Sequence, residues 1–136
     1  QRQVMQEAAY LGIGDKVLFP GFLRDQELAD AYYMADHYVL PSVSEPFGIT
    51  PLEAMKMGTP VIISKQSGVS EIVKNALKVD FWDVDEMANK ILGVIGYPAL
   101  QKTLGQNGQM EVGHITWGRV AEKLKGIIGN ILGWFK

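Results

Sequence analysis

The 136-residue chain contains no cysteine, which excludes disulfides and thiolate metal sites and leans the protein towards a cytoplasmic setting. Its two histidines, His37 and His114, lie far apart in sequence, so no transition-metal site is expected. Basic residues never cluster and the net charge is −2, an unfavourable balance for a nucleic-acid partner, which demands a basic face. No stretch approaches the roughly 20 apolar residues of a membrane span. The most apolar tail, "GIIGNILGWFK", is broken by Gly126, Gly129, Asn130 and Gly133. Internal repeats and low-complexity tracts are missing too. What is present is an ordinary globular balance, 47% apolar and 21% charged, at the length of about one domain. The polar, helical start "QRQVMQEAAYLGIGD" has no initiator Met and no signal-peptide pattern, so the chain reads as a piece of a longer polypeptide.

Strand-like and helix-like segments alternate. Residues 3–11 read as a helix ending at Gly12 or Gly14, and "KVLFPGF" as a buried strand, Val17 to Phe19, stopped by Pro20 and Gly21. Asp25 is an N-cap candidate for a helix with Leu28, Ala31, Tyr32 and Ala35 facing inward. "HYVLPS", "PVIIS" and "LKVDF" read as further buried strands. Between them come a helix from Thr50 to Met57, closed by Gly58 and Pro60, and a short helical stretch near Ser70 to Lys74. Asp83 and Glu86 form a capping box opening a helix with Val84, Met87, Ala88, Ile91 and Ile95 on one face. Two more helices, from about Pro98 and Thr116, complete the chain. Continuously apolar strands, each followed by a helix, predict an α/β fold: a Rossmann-like, doubly wound parallel sheet. Ligands of such sheets bind beyond the carboxyl ends of the strands.

The loop leaving "HYVLPS" is the place to look. It reads "SEPFGITPLE", with Glu45 and Glu53 eight positions apart. A helix N-terminus offers unpaired amides and about half a positive charge, a ready phosphate site. Gly48 lets backbone approach a ligand closely. Glu45 can accept bonds from sugar hydroxyls, and Glu53, one turn into the helix, from the vicinal hydroxyls of a ribose. Three blander or rival readings stand beside this one. Thr50, Pro51 and Glu53 make a capping box with Thr50 as N-cap; Glu45-Pro46 makes a surface turn. The two carboxylates could also be the acid and nucleophile of a glycosidase, whose carboxyls stand about 5–5.5 or 6.5–9.5 Å apart.

From "LGIGDKVLFPGF" to "WGRVAEKL", the chain resembles the C-terminal, donor-binding domain of retaining nucleotide-sugar glycosyltransferases with the GT-B fold, of family 4 or group 1 type. The matching stretches are "VLFPGFLRDQELADAYYMADHYVLPSVSEPFGITPLEAMKMGTPVIIS", "SGVSEIV" and the late "ITWGRVAEKL". The resemblance implies Glu45 as the catalytic-site glutamate that contacts the transferred sugar, with Phe47 and Gly48 offering it backbone amides. It implies Ile49 and Thr50 for the phosphates, Glu53 for the ribose, and Gly21, Phe22 and Leu23 flanking the nucleobase. It implies a nucleotide sugar as substrate rather than cofactor, no required metal, and hexosyl transfer in carbohydrate biosynthesis. A non-catalytic nucleotide-sugar binding module and a sugar-nucleotide epimerase remain alternatives.

The family's domain opens with a strand carrying an Arg and a Lys that neutralise the leaving diphosphate, and no such strand precedes "KVLFPGF". Residues 1–136 are therefore expected to be a partial donor-binding domain, without the N-terminal acceptor domain or the first strands. In a sheet of order 3-2-1-4-5-6 those strands are central. The sheet is then expected to be incomplete, completed by another chain, or rearranged, and the chain alone to have negligible turnover. His37 reads as structural and His114 as surface. Ser67 and Gly68 either border the donor site or make an ordinary strand-to-helix turn, and Lys65 either meets phosphate or is solvated. The last helix carries Val120, Leu124, Ile127, Ile128 and Ile131, then Trp134 and Phe135, a stripe expected to be core. Membrane-surface binding through Arg119, Lys123, Lys125 and Lys136 is the rival.

Overall fold

The computed structural model describes residues 2–134 and has three parallel strands among seven α-helices. The strands are β1 (Tyr38–Leu40), β2 (Val61–Ser64) and β3 (Leu77–Val79), hydrogen-bonded in the order β1-β2-β3. Tyr38 pairs with Val61, and Ile62 with Leu77. Every residue of β2 is buried because both faces are covered. Val61 and Ile63 join one core with Ala54 and Met55 of α3 (Ile49–Lys56), Val69 and Val73. Ile62 turns the other way, onto Val79 and onto Val94 of α5 (Val84–Gly96). The alternation of side chains along a strand thus places one helix on each face, which is the doubly wound arrangement. Each buried isoleucine of β2 contributes roughly 1.5–3 kcal/mol through burial.

The remaining helices are α1 (Arg2–Tyr10), α2 (Asp25–Met34), α4 (Val69–Ile72), α6 (Pro98–Gly113) and α7 (Trp117–Trp134). The first helix does end before Gly12, which takes φ +69. Asp83 caps α5 as its spacing predicts, accepting from the Glu86 amide at 2.9 Å.

Several expectations fail. Val17 to Phe19 is not a strand: the segment is irregular, and Leu18 is 85% exposed. An apolar run becomes a strand only where a neighbour takes its backbone bonds, and none does among the described residues. Asp25 does not cap α2; it is the helix's first residue, at φ +47, and no side chain caps that end. In α5 the inward face is Met87, Ile91 and Val94, while Val84, Ala88 and Ile95 are exposed, because the helix rests on β2 and β3 through a stripe one step round from the expected one. The apolar stripe of α7 is not core: Val120, Leu124, Ile127, Ile128 and Ile131 are all exposed. The Trp134 side chain and Phe135 lie outside the described residues. No described helix is long and apolar enough to cross a membrane.

Glu111 ties the end of α6 to the approach of β3. Its carboxylate accepts from the Lys74 amide at 2.7 Å, the Asn75 amide at 2.8 Å and Asn75 Nδ2 at 2.9 Å. Partial burial by itself raises the pKa of this carboxyl, but the Asn75 and Lys74 bonds outweigh it and hold the group below the usual carboxylate range. Glu111→Ala is expected to cost about 2 kcal/mol, the scale of hydrogen bonds to a charged acceptor. Because the folded pKa is depressed, this stabilisation is present above the ordinary value of 4.5 and is lost as pH falls through the lowered one. Urea midpoints of the parent and the variant should therefore differ at neutral pH and converge in acid.

Candidate functional site

The parallel sheet sends three loops off one edge. The loop after β1 carries Glu45 to Gly48, and the loop after β2 carries Lys65 to Gly68. They are joined: Glu45 and Ser67 form a parallel bridge, and the Gly68 amide donates to the Glu45 carbonyl at 2.8 Å. Ser67 is buried, its hydroxyl donating to the Ser64 carbonyl at 2.7 Å. The second loop thus backs the first, whether or not it also meets a ligand.

Gly48 opens α3 at φ +88, ψ +79, a left-handed conformation that glycine alone takes at little cost. Gly48 is buried, and a Cβ there would lie 3.2 Å from Val69 Cγ1 and 3.3 Å from Glu45 Cγ. The Glu45 side chain therefore packs at the helix tip. The capping box expected at Thr50 does not form. Because glycine can make the sharp entry, the helix starts one residue before Thr50, and no side chain caps it. The Thr50 hydroxyl instead accepts from Tyr38 Oη at 2.9 Å. The amides of Ile49 and Thr50 have no partner within the helix, as at any helix start, and Ile49 is 62% exposed. Phe47, just outside the helix, is exposed as well.

Glu53 does not reach back to the helix start. It lies four residues after Ile49 and three after Thr50, hence on the face below them. Its Oε2 accepts from Tyr32 Oη at 3.4 Å. Burial, then the nearby Tyr38 and the Glu53 carboxylate, push the Tyr32 pKa up to about 12, so the phenol remains a donor at neutral pH. Asp25, Leu28, Tyr32, Glu53 and Lys56 line a cavity of about 260 Å³ between α2 and α3. On the other flank of the tip, Phe47, Ile49 and Leu52 form an apolar groove with Ile115 and Val120. The structure thus gathers Glu45, Gly48, Ile49, Thr50 and Glu53 on one helix and the loop leading into it.

Gly21, Phe22 and Leu23 fall in the irregular segment before α2 and do not line the cavity beside Glu53. Phe22 is 80% exposed, with the Arg24 guanidinium 4.8 Å above its ring. Lys65 is paired with Asp80 at 2.7 Å, and that hydrogen bond and charge raise its pKa; Asp80 is lowered in turn by Lys65 and Gln66. Lys65 is thus a solvated surface residue, 54% exposed in its side chain, and its ion pair joins the ends of β2 and β3. His37 is half-buried beside β1, with Nδ1 buried and unpaired among the described residues, and His114 is exposed. The hydroxyls of Tyr32 and Tyr38 were not legible as site groups. Their only mark in the sequence is tyrosine where phenylalanine would fill a core equally well.

A family model described as "Glycosyl transferases group 1" matches residues 1–111. The mannosylfructose-phosphate synthase of Agrobacterium fabrum is 31% identical over 130 residues, which cover 93% of this chain and 29% of that protein. The solved C-terminal domain of a glycosyl transferase group 1 family protein from Francisella tularensis superposes with a TM-score of 0.73 at 28% identity, covering 84% of this chain and 60% of that domain. Anabaena HepE, solved in complex with UDP-glucose, superposes with a TM-score of 0.81 at 26% identity, covering 92% of this chain and 36% of its own. The chain thus spans less than a third of the length of that synthase.

Proposed function

Because the chain belongs to the glycosyl transferases group 1 family, we propose that it is the donor-binding part of a retaining glycosyltransferase that takes a hexosyl group from a nucleoside diphosphate sugar. The observation that carries this is the uncapped start of α3, opened by a left-handed glycine and flanked by two glutamates. The amides of Ile49 and Thr50 and the helix dipole take the diphosphate. Glu45, with the backbone of Phe47 and Gly48, faces the sugar near the reacting carbon, and Glu53 holds the ribose. Gly21, Phe22 and Leu23 flank the base. Stabilising the charge of the departing diphosphate is the dominant catalytic demand, and the start of α3 meets part of it. The acceptor, and the cations that complete that stabilisation, are assigned to the portion of the relatives' length that this chain does not span. Residues 1–136 are thus proposed as part of a donor domain, with negligible turnover on their own. No metal is required in this scheme.

Calorimetric titration of the chain with UDP-, GDP- and ADP-glucose tests the proposal. One of the three is expected to bind saturably, and Glu53→Ala to weaken it at least roughly tenfold, the loss of a charge-assisted hydrogen bond. Equal binding by the parent and Glu53→Ala would remove the ribose role and with it the site.

A further inference from the structure

We infer that Tyr32 is a positioning residue for the donor site: its hydroxyl fixes the Glu53 carboxylate by one oxygen so that the other is presented to the ribose. The inference rests on the reading of Glu53 given above. A glutamate on a helix surface has three rotatable bonds and loses much of its binding strength to disorder unless something holds it. Tyr32 is suited to hold it because the tyrosine itself cannot swing. It is 8% exposed, packed in the core with Ala54, Met55 and Val61. Its carbonyl accepts from Thr59 Oγ1 at 2.6 Å, and its ring meets Tyr38 edge to face at 5.6 Å. Phenylalanine would supply the same apolar ring, so the core gives no reason for the hydroxyl; its one acceptor among the described residues, Glu53 Oε2 at the long separation of 3.4 Å, does. A carboxylate bound through one oxygen keeps the second as an acceptor. Tyr38 repeats the arrangement one turn earlier, where its hydroxyl meets Thr50. Two adjacent rings thus brace one helix at the two places where phosphate and ribose are proposed to lie.

The test is a comparison of Tyr32→Phe with the parent chain in calorimetry, using UDP-glucose and its 2′,3′-dideoxy analogue, or the corresponding GDP or ADP pair where that is the donor the parent binds. Tyr32→Phe should weaken UDP-glucose roughly threefold to tenfold, the loss of one hydrogen bond. It should have no effect on the analogue, nor on UDP-glucose when Glu53→Ala is already present. A loss of the same size for the analogue would mean that the hydroxyl acts through the fold, and overturns the inference. Unchanged UDP-glucose binding by Tyr32→Phe, with binding lost in Glu53→Ala, overturns it while leaving the donor site standing. Parent-like binding by Glu53→Ala, or no binding of any of UDP-, GDP- and ADP-glucose by the unmodified chain, overturns both.

Discussion

Gly68→Ala is expected to weaken both donor binding and the fold. Its backbone is compatible with alanine, at φ −58, so conformational strain is not the cause. Space is. An added Cβ would stand 2.9 Å from the carbonyl carbon of Pro46, closer still to its oxygen, and 3.1 Å from the Cα of Phe47. All three are backbone atoms, so no side chain can rotate out of the way. The two loops must separate, and the Glu45–Ser67 bridge and the bond from the Gly68 amide go with them. Overpacking of this kind costs about 2–3 kcal/mol. A shift near 1 Å in the loop that carries Glu45 should lower donor affinity roughly tenfold or more, the loss of a hydrogen bond to a charged group. Urea denaturation followed by circular dichroism reads the first effect and calorimetry the second. An alanine variant that binds like the parent would show that the contact between the loops does not set the position of Glu45.

The second large effect is expected at Gly105→Ala, beyond the end of α3 opposite the proposed donor site. Glycine inside a helix is ordinarily a defect, and alanine would improve helix propensity by about 1 kcal/mol. Here the opposite sign is expected. Gly105 is buried where α6 crosses the turn after α3, and a Cβ would lie 3.4 Å from the carbonyl carbon of Gly58 and well inside contact distance of its oxygen. Gly58 has little room to yield, since it ends the helix at φ +82. Pushing α6 outward would also break the bond from Gln109 Nε2 to the Lys56 carbonyl, 2.9 Å. The net destabilisation should be about 3 kcal/mol, set by overpacking with no flexible atom to absorb it. A Cβ at the neighbouring Gly108 would meet Met55 Cε at 3.3 Å, the end of a pliable side chain, so that position offers no comparable lever. Thermal melting monitors the result. A rise in Tm for Gly105→Ala would mean that helix propensity outweighs the close approach.

Much of the site is legible in one strand, one loop and one helix. "HYVL" and "PVII" are short apolar runs bounded by turn residues, and both become strands of the sheet. Gly48 before an apolar helix marks the sharp entry, and Asp83 with Glu86 marks the start of α5. The errors fall where the outcome hangs on a distant partner. "VLF" at residues 17–19 has the composition of a strand but no neighbour to pair with among the described residues. Thr50 has the chemistry of a cap, yet the glycine two residues earlier lets the helix begin sooner and leaves the hydroxyl to Tyr38. The stripe on α7 has the periodicity of a core helix and finds nothing to cover it among the described residues.

By itself, the sequence determined the family, the doubly wound α/β class and the two glutamates at the ends of the Pro-Phe-Gly-Ile-Thr-Pro stretch. The family rests on the resemblance of its motif stretches, while the class and the place of the glutamates follow from local chemistry: which residues favour a strand, a turn or a helix start depends on near neighbours and can be read along the chain. Only the tertiary structure decided that Gly68 must be small, that the Tyr32 hydroxyl meets Glu53, and that Lys65 is paired with Asp80. Each of these is a contact between residues brought together by the crossing of separate strands and helices. Such contacts depend on distances in space, which spacing along a chain does not fix.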